Sequence, residues 1–88
     1  MTRGEILDKA KEIVSSDRQS QYGTPEDSFN KIGKLWSAYT GFDFNPVDVS
    51  VMLALLKVAR IANSPQHADN WLDLAGYAAC GGEIATDL

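Results

Sequence analysis

Apolar residues recur along this chain at every third or fourth position, a spacing that predicts α-helices and no strands. Four such segments are separated by polar stretches that contain Gly or Pro. They cover about residues 3–16, 25–39, 46–63 and 68–86. The pattern predicts an all-α fold, a four-helix bundle-like domain that takes in residues 1–88.

The ends of these segments carry typical capping residues. Thr2 and Glu5 have the spacing of a capping box at the start of the first helix. Thr24 precedes Pro25, and a cap residue followed by Pro is typical of a helix N-terminus. The third helix starts with the same pattern, and Gly41 is placed to end the second helix.

The third predicted helix is apolar nearly all round, which is typical of a helix buried on most sides. Its apolar residues are Val47, Val49, Val51, Met52, Leu53, Leu55, Leu56, Val58 and Ile61. Either this helix is central in the bundle, or another subunit covers one flank. We favour the second arrangement, a homo-oligomer (dimer or higher), because small chains often gain stability by oligomerising.

The fourth predicted helix contains a run of small residues. They are Ala75, Gly76, Ala78, Ala79, Gly81 and Gly82. Each Gly costs about 1 kcal/mol relative to Ala inside a helix, so the run needs a compensating role. We expect close packing against another helix; a ligand pressed against the bare backbone is the alternative.

Charge and composition narrow the function classes. Among 88 residues, 8 are basic and 12 acidic, for a net charge of −4. This balance disfavours general nucleic-acid binding, which needs a basic face. A single Cys and a single His exclude an intrachain disulfide and a closed Cys/His zinc site, whereas a metal held by carboxylates stays open. No apolar stretch is long enough to span a membrane and the start is amphipathic, so we expect a cytoplasmic protein.

Two pairs of charged residues are the main candidates for chemistry. Lys57 and Arg60 share one face of the third helix, and Asp69, Asp73 and Tyr77 share one face of the fourth. The short connection between these helices predicts that the two pairs meet. The cluster is either a structural ion-pair network or a site in which the aspartates hold Mg²⁺ and the cations hold phosphate oxygens.

The polar connection before the second helix is a further candidate. Arg18 and Tyr22 lie in it. They belong either to an ordinary turn or to a lid in which Tyr22 stacks on a base and Arg18 grips a phosphate. Asn30 is placed to add a hydrogen bond, and Trp71 is a core or interface residue with base stacking as the alternative.

The single His and the single Cys are not expected to form a catalytic pair. His67 and Cys80 are thirteen positions apart, about 20 Å along one helix, so they are too distant to form a nucleophile pair. His67 is expected in a loop or first turn without a role, and Cys80 as a small buried hydrophobe.

Several motifs in fixed order resemble a family of small phage and prophage proteins of uncharacterised function. They are Asp17-Arg-x-x-x-Tyr-Gly-x-Pro-Glu-Asp-x-Phe29, Leu35-Trp36, Met52-Leu-x-Leu-Leu-Lys57-x-x-Arg60 and His67-x-Asp-Asn-Trp-x-Asp73-x-x-Gly76-Tyr77. That family is distantly similar to the MazG-like nucleotide pyrophosphohydrolases. Those are all-α, Mg²⁺-dependent, usually oligomeric enzymes that split nucleoside triphosphates into monophosphate and pyrophosphate.

The resemblance implies roles for particular residues. Asp69 and Asp73 correspond to one acidic metal-binding pair of the pyrophosphohydrolases. Glu26 and Asp27, with Asn30, stand where the other pair would be. Lys57 and Arg60 match basic positions of the phage proteins. The chain has no Glu-x-x-Glu, the usual form of the first pair, so the resemblance implies nucleotide binding more directly than hydrolysis.

Three hypotheses about function follow from the sequence. The first is a Mg²⁺-dependent nucleotide pyrophosphohydrolase in which Asp69 and Asp73 are catalytic. The second is a non-enzymatic module that sequesters a nucleotide or a nucleotide-derived signal. The third is a homo-oligomeric protein-interaction module in which the charged cluster is a structural ion-pair network.

Overall fold

A computed structural model describes residues 1–15 and 24–87 of the chain. It contains four α-helices: α1 (Arg3–Ser15), α2 (Pro25–Thr40), α3 (Pro46–Asn63) and α4 (Ala68–Thr86). No strand occurs in these two ranges, so the predicted all-α class is confirmed. Helix α2 ends one residue later than predicted. None of the four helices is both long and apolar enough to cross a membrane.

Side-chain caps define the starts of α1, α2 and α3, as the sequence predicts. The Glu5 N–H donates to Thr2 Oγ1 at 3.1 Å, and the Thr2 N–H donates to Glu5 Oε1 at 3.0 Å. These hydrogen bonds hold the pKa of Glu5 below its usual value. At the start of α3, Asn45 and Asp48 form a second capping box.

The second helix has a defined stop as well as a defined start. Thr24 Oγ1 accepts a hydrogen bond from the Asp27 N–H at 3.1 Å. At the other end Gly41 has a φ of +81°, a left-handed conformation that L side chains rarely adopt. The Gly41 N–H donates to the Ser37 carbonyl and closes the last turn.

Helices α3 and α4 form the largest helix–helix contact of the structure, and the other two helices pack on it from outside. Helix α1 packs mainly against α4, whereas α2 packs mainly against α3. The principal extents are 40 × 29 × 24 Å. The result is an open arrangement in which much of the surface of α3 has no helix over it.

Few apolar side chains are buried in this arrangement. Among the described residues the buried apolar side chains are Ala10, Phe29, Val49 and Leu72. Leu7, Leu35 and Tyr39, which the helical spacing places on apolar stripes, are exposed, Tyr39 to 90%. One chain therefore leaves a substantial part of its predicted apolar surface in water.

The small residues of α4 pack closely against other helices. A Cβ added at Gly81 would lie 2.8 Å from the Ser50 Cβ, closer than real Cβ contacts come. A Cβ at Gly76 would lie 3.3 Å from the Val14 side chain of α1. The predicted close packing is thus confirmed at both positions, whereas Gly82 faces open space.

Gly33 provides a test of close packing between α2 and the segment that follows it. A Cβ at Gly33 would lie 2.7 Å from the Phe44 carbonyl oxygen, a backbone atom. We expect Gly33→Ala to lower the free energy of unfolding by about 1–3 kcal/mol despite the better helix propensity of Ala. Gly4→Ala is the control, because only Thr2 Oγ1, at 3.9 Å, approaches there. Thermal unfolding followed by circular dichroism measures both; equal effects would contradict this account.

Candidate functional site

An ion pair between α3 and α4 lies at the centre of the candidate site. Lys57 Nζ is 2.9 Å from Asp73 Oδ2. The Lys57 side chain is only 9% exposed and that of Asp73 is 25% exposed. The predicted meeting of the two charged pairs is therefore confirmed for one cation and one carboxylate.

Burial makes this ion pair energetically important. Removing an ammonium from water costs several kcal/mol, and a close carboxylate with good geometry offsets most of that cost. Lys57 projects from the side of α3 that faces α4, the same side as the buried Ser50 two turns earlier. The contact with Asp73 fixes the position of the Lys57 ammonium between the two helices.

Polar and aromatic side chains flank Asp73 on the same face of α4. Asn70 lies one turn before Asp73 and is buried. Tyr77 lies one turn after it, is half-buried, and packs against Phe29 of α2 with ring centroids 6.4 Å apart. The Ser50 hydroxyl donates to the Tyr77 carbonyl at 2.7 Å. These contacts join three helices around the ion pair.

Arg60 and Asp69 lie at the exposed edge of the same helix pair. Arg60 is exposed, and among residues 1–15 and 24–87 no carboxylate lies within 4 Å of it. The Asp69 side chain is 77% exposed, and one of its carboxylate oxygens lies 3.9 Å from the His67 imidazole Nε2. The structure thus separates the two aspartates into one paired with Lys57 and one in solvent.

Glu26 and Asp27 occupy a different part of the molecule from Asp69. Both are exposed in the first turn of α2. Glu26 lines a cavity of about 340 Å³ together with Cys80, Glu83 and Asp87, near the C-terminal end of α4, whereas Asp69 is in the first turn of that helix. In the part of the chain that the structure describes, no three His, Cys, Asp or Glu side chains form a metal-binding group.

The expected base- and ligand-contacting residues are dispersed. Arg18 and Tyr22 lie outside the described residues. Asn30 is exposed on α2 directly after Phe29. The Trp71 indole N–H donates to the Pro65 carbonyl at 2.9 Å. The Trp71 ring is partly exposed, and Trp71 is two positions after Asp69 in the sequence. Of these residues, Trp71 is the one that lies within a few positions of both aspartates on α4.

His67 occupies the environment that the sequence predicts, whereas Cys80, expected to be buried, is only half-buried. His67 is the N-cap residue of α4, is exposed, and makes no side-chain capping bond. Cys80 is half-buried, and burial raises the pKa of its thiol, with a further contribution from the Glu83 carboxylate. A raised pKa keeps the thiol protonated and unreactive.

Sequence reasoning missed the role of two polar residues, Ser50 and Asn70, at the α3–α4 contact. Both are buried although Ser and Asn are usually exposed. Ser50 lies in an apolar run about two turns before Lys57. This spacing puts both residues on the same face of α3, the face toward α4. Asn70 precedes Asp73 by one turn, which is a weaker signal.

The fold and this site define a small all-α domain whose charged and polar side chains converge on one helix–helix contact. The chain belongs to the DUF6378 family, described as a domain of unknown function, whose family model matches residues 5–85. The resemblance to a family of uncharacterised function is thereby confirmed.

Two curated phage proteins are similar to this chain. The Gene 55 protein of Mycobacterium phage L5 is 43% identical over 74 residues, which cover 83% of this chain and 47% of the relative. The Gene 55 protein of Mycobacterium phage D29 is 35% identical over 75 residues, 85% of this chain and 50% of the relative. The chain thus spans about half the length of these relatives. No solved structure gives a significant match.

The two aspartates of α4 should differ sharply in their effect on stability. We expect Asp73→Asn to lower the free energy of unfolding by about 2–3 kcal/mol, because it leaves the buried Lys57 ammonium without an anion. Asp69→Asn, at an exposed position, should change it by less than about 0.5 kcal/mol. Denaturant unfolding measures both; similar values would show that the ion pair contributes little.

The raised pKa of Cys80 predicts slow alkylation. At neutral pH the folded protein should react with iodoacetamide more slowly than the unfolded chain, since less of the thiol is ionised. Glu83→Gln should lower the thiol pKa and shift the rate profile to lower pH. The rate of alkylation as a function of pH measures this. A profile unchanged by Glu83→Gln would rule out the carboxylate as a contributor.

Proposed function

We propose that this protein is a phage-type binding module for a nucleotide or nucleotide-derived small molecule and that it acts as a homo-oligomer. Lys57 and Arg60 hold phosphate oxygens, with Mg²⁺ at Asp69 and Asp73. The observation that carries the proposal is the Lys57 ammonium, buried and held 2.9 Å from Asp73, one turn from the exposed Arg60.

The two cations would contribute differently to phosphate binding. An ammonium has three N–H donors, and the contact with Asp73 engages one side of it. Arg60 offers a planar fork that can bind two phosphate oxygens at once. In the proposed site the exposed Arg60 side chain binds the phosphate from the solvent side. The buried Lys57 ammonium adds positive charge from the contact between α3 and α4.

The donor chemistry of the two aspartates fits Mg²⁺. Proteins commonly bind Mg²⁺ through one or two carboxylates together with substrate phosphates and water. Asp69 is exposed and Asp73 is a quarter exposed, so a hydrated ion can reach both carboxylates. Water and phosphate oxygens would complete its coordination without a third protein carboxylate. When bound, Mg²⁺ would neutralise phosphate charge and help to orient the phosphates.

Other residues of the proposed site would contact the base, the sugar or the phosphates. Trp71 has a partly exposed ring on α4, and Tyr77 flanks Asp73; both would contact the base or sugar. Asn30 would add a hydrogen bond from α2. Arg18 and Tyr22 enter from the sequence alone. The likeness to MazG-like pyrophosphohydrolases belongs to this proposal, as does action in the cytoplasm of a bacterial host, where nucleotides are abundant.

A second candidate function rests on a different aspect of the same ion pair. Asp73 already neutralises Lys57, and no buried side-chain nitrogen or oxygen in the described residues lacks a hydrogen-bonding partner. The arrangement is therefore complete without a ligand. This favours a homo-oligomeric interaction module in which the ion pair sets the register of α3 against α4.

A thermal-shift screen of nucleoside mono-, di- and triphosphates and cyclic dinucleotides, each with Mg²⁺ or with EDTA, tests the nucleotide proposal. A ligand at a hundred times its dissociation constant stabilises the fold by about 2.7 kcal/mol, which raises the midpoint by several degrees in a domain of this size. Arg60→Ala should abolish most of the shift. Lys31→Ala, which removes an exposed cation from α2, should leave it unchanged.

The outcomes of this screen separate the candidates. A shift that needs Mg²⁺ supports the aspartate site and leads to a pyrophosphate-release assay with Asp69→Asn, which asks whether bound nucleotide is hydrolysed. A shift in EDTA supports binding through the cations alone. If no compound raises the midpoint, the nucleotide proposal is wrong and the interaction module stands. If a compound raises it and Arg60→Ala retains the full shift, the nucleotide binds elsewhere and the site assigned to Arg60 is wrong.

A further inference from the structure

An uncovered apolar groove runs between α3 and α4. We call it the α3/α4 groove and define it by six residues that line it, Val51, Ala54, Leu55, Val58, Ala78 and Gly82. Its volume is about 270 Å³. No lining residue carries a charge, and the lining surface is almost wholly apolar.

The exposure of this groove is costly to a single chain. Leu55 is 60% exposed and Val51 and Val58 are about half exposed, although all three belong to the apolar face of a helix. Met52 and Leu56, on the next strip of α3, are also exposed. A large contiguous apolar patch on the surface of a soluble protein marks an interaction site.

The surface area of the chain indicates how much is left uncovered. Its accessible surface is 6351 Å². A folded monomer of 9.6 kDa has roughly 5,100 Å². The excess over the whole chain, about 1,250 Å², is more than the roughly 800 Å² that each partner buries in a standard protein–protein interface. The radius of gyration, 13.5 Å, likewise exceeds the roughly 12 Å of a compact domain this long.

We propose that a second copy of this chain occupies the α3/α4 groove, so that two copies pack their α3–α4 pairs together about a twofold axis. This inference rests on the homo-oligomer of the proposed function and names its interface. A second copy brings an equally uncharged surface of matching area, so the contact buries no charge from the groove.

A lipid surface fits the groove less well. Helices that lie on membranes carry Lys and Arg along the borders of the apolar face. Helix α3 has two cationic residues, Lys57, which is buried, and Arg60, which is exposed. By helical geometry Arg60 is about 160° around α3 from Val58, so it does not border the groove. The net charge of −4 also opposes binding to anionic lipid.

The shape of the groove suits a twofold contact. Leu55 projects from the α3 wall, whereas Gly82 on the α4 wall has nothing within 4 Å of where a Cβ would be. In an isologous interface, the Leu55 side chain of each copy can enter the hollow at Gly82 of the other. This contact explains an exposed Gly inside a helix, which otherwise lowers helix stability.

Light scattering coupled to size exclusion tests the interface with a matched pair of variants. Leu55→Glu should reduce the mass from about twice 9.6 kDa to that of one chain, or raise the dissociation constant by more than about a hundredfold, because a buried carboxylate loses its hydration. Leu35→Glu makes the same change at a residue of similar exposure, 63%, on α2 outside the groove. It should leave the mass of the dimer unchanged.

Gly82→Leu provides an independent test, because it adds a bulky side chain to the groove at a position where a Cβ has no neighbouring atom within 4 Å. We expect the dimer to dissociate while helix content is retained. A wild-type protein with the mass of one chain at all concentrations would refute the homo-oligomer itself. An oligomer that survives both Leu55→Glu and Gly82→Leu would refute only the assignment of the groove, as would dissociation by Leu35→Glu alone. Light scattering reports mass whether or not the released chain stays folded.

Discussion

The contact between α3 and α4 is the interaction on which the other contacts of this protein depend. Helix α1 is held mainly by α4 and α2 mainly by α3, so neither outer helix finds its place unless the central pair forms. Close approach at Gly81 and Ser50 brings the two backbones together. The Lys57–Asp73 ion pair then penalises any shift in register, because a displaced α4 would leave a buried ammonium unpaired.

The charged side chains of α3 and its exposed apolar side chains lie on different flanks of the helix. Lys57 faces α4, Arg60 lies toward one edge, and the α3/α4 groove follows the other. A small chain has too little surface to enclose a central helix on all sides. An apolar flank left in water and a charged flank left accessible are therefore two consequences of one geometric limit. In the proposed function the first serves assembly and the second serves ligand binding.

The candidate site was only partly predictable. The spacing of Lys57 and Asp73 on adjacent antiparallel helices predicted their meeting, since a short connection restricts how the helices can align. The same reasoning treated Asp69 and Asp73 as equivalent, yet one is paired and the other lies in solvent. Glu26 was grouped with them by resemblance, but α2 packs mainly on α3 and brings Glu26 toward the far end of α4.

Local sequence decided where α1, α2 and α3 begin and where α2 ends. Capping hydrogen bonds from Thr2, Thr24 and Asn45, and the left-handed turn at Gly41, involve residues at most four positions apart, so nearby sequence is enough to specify them. Only the tertiary structure decided which apolar residues are covered. Leu35 and Val49 are both apolar residues within helices, yet Val49 is fully buried and Leu35 is exposed. Burial depends on which distant segment packs over a residue, and periodicity within one helix carries no information about that partner.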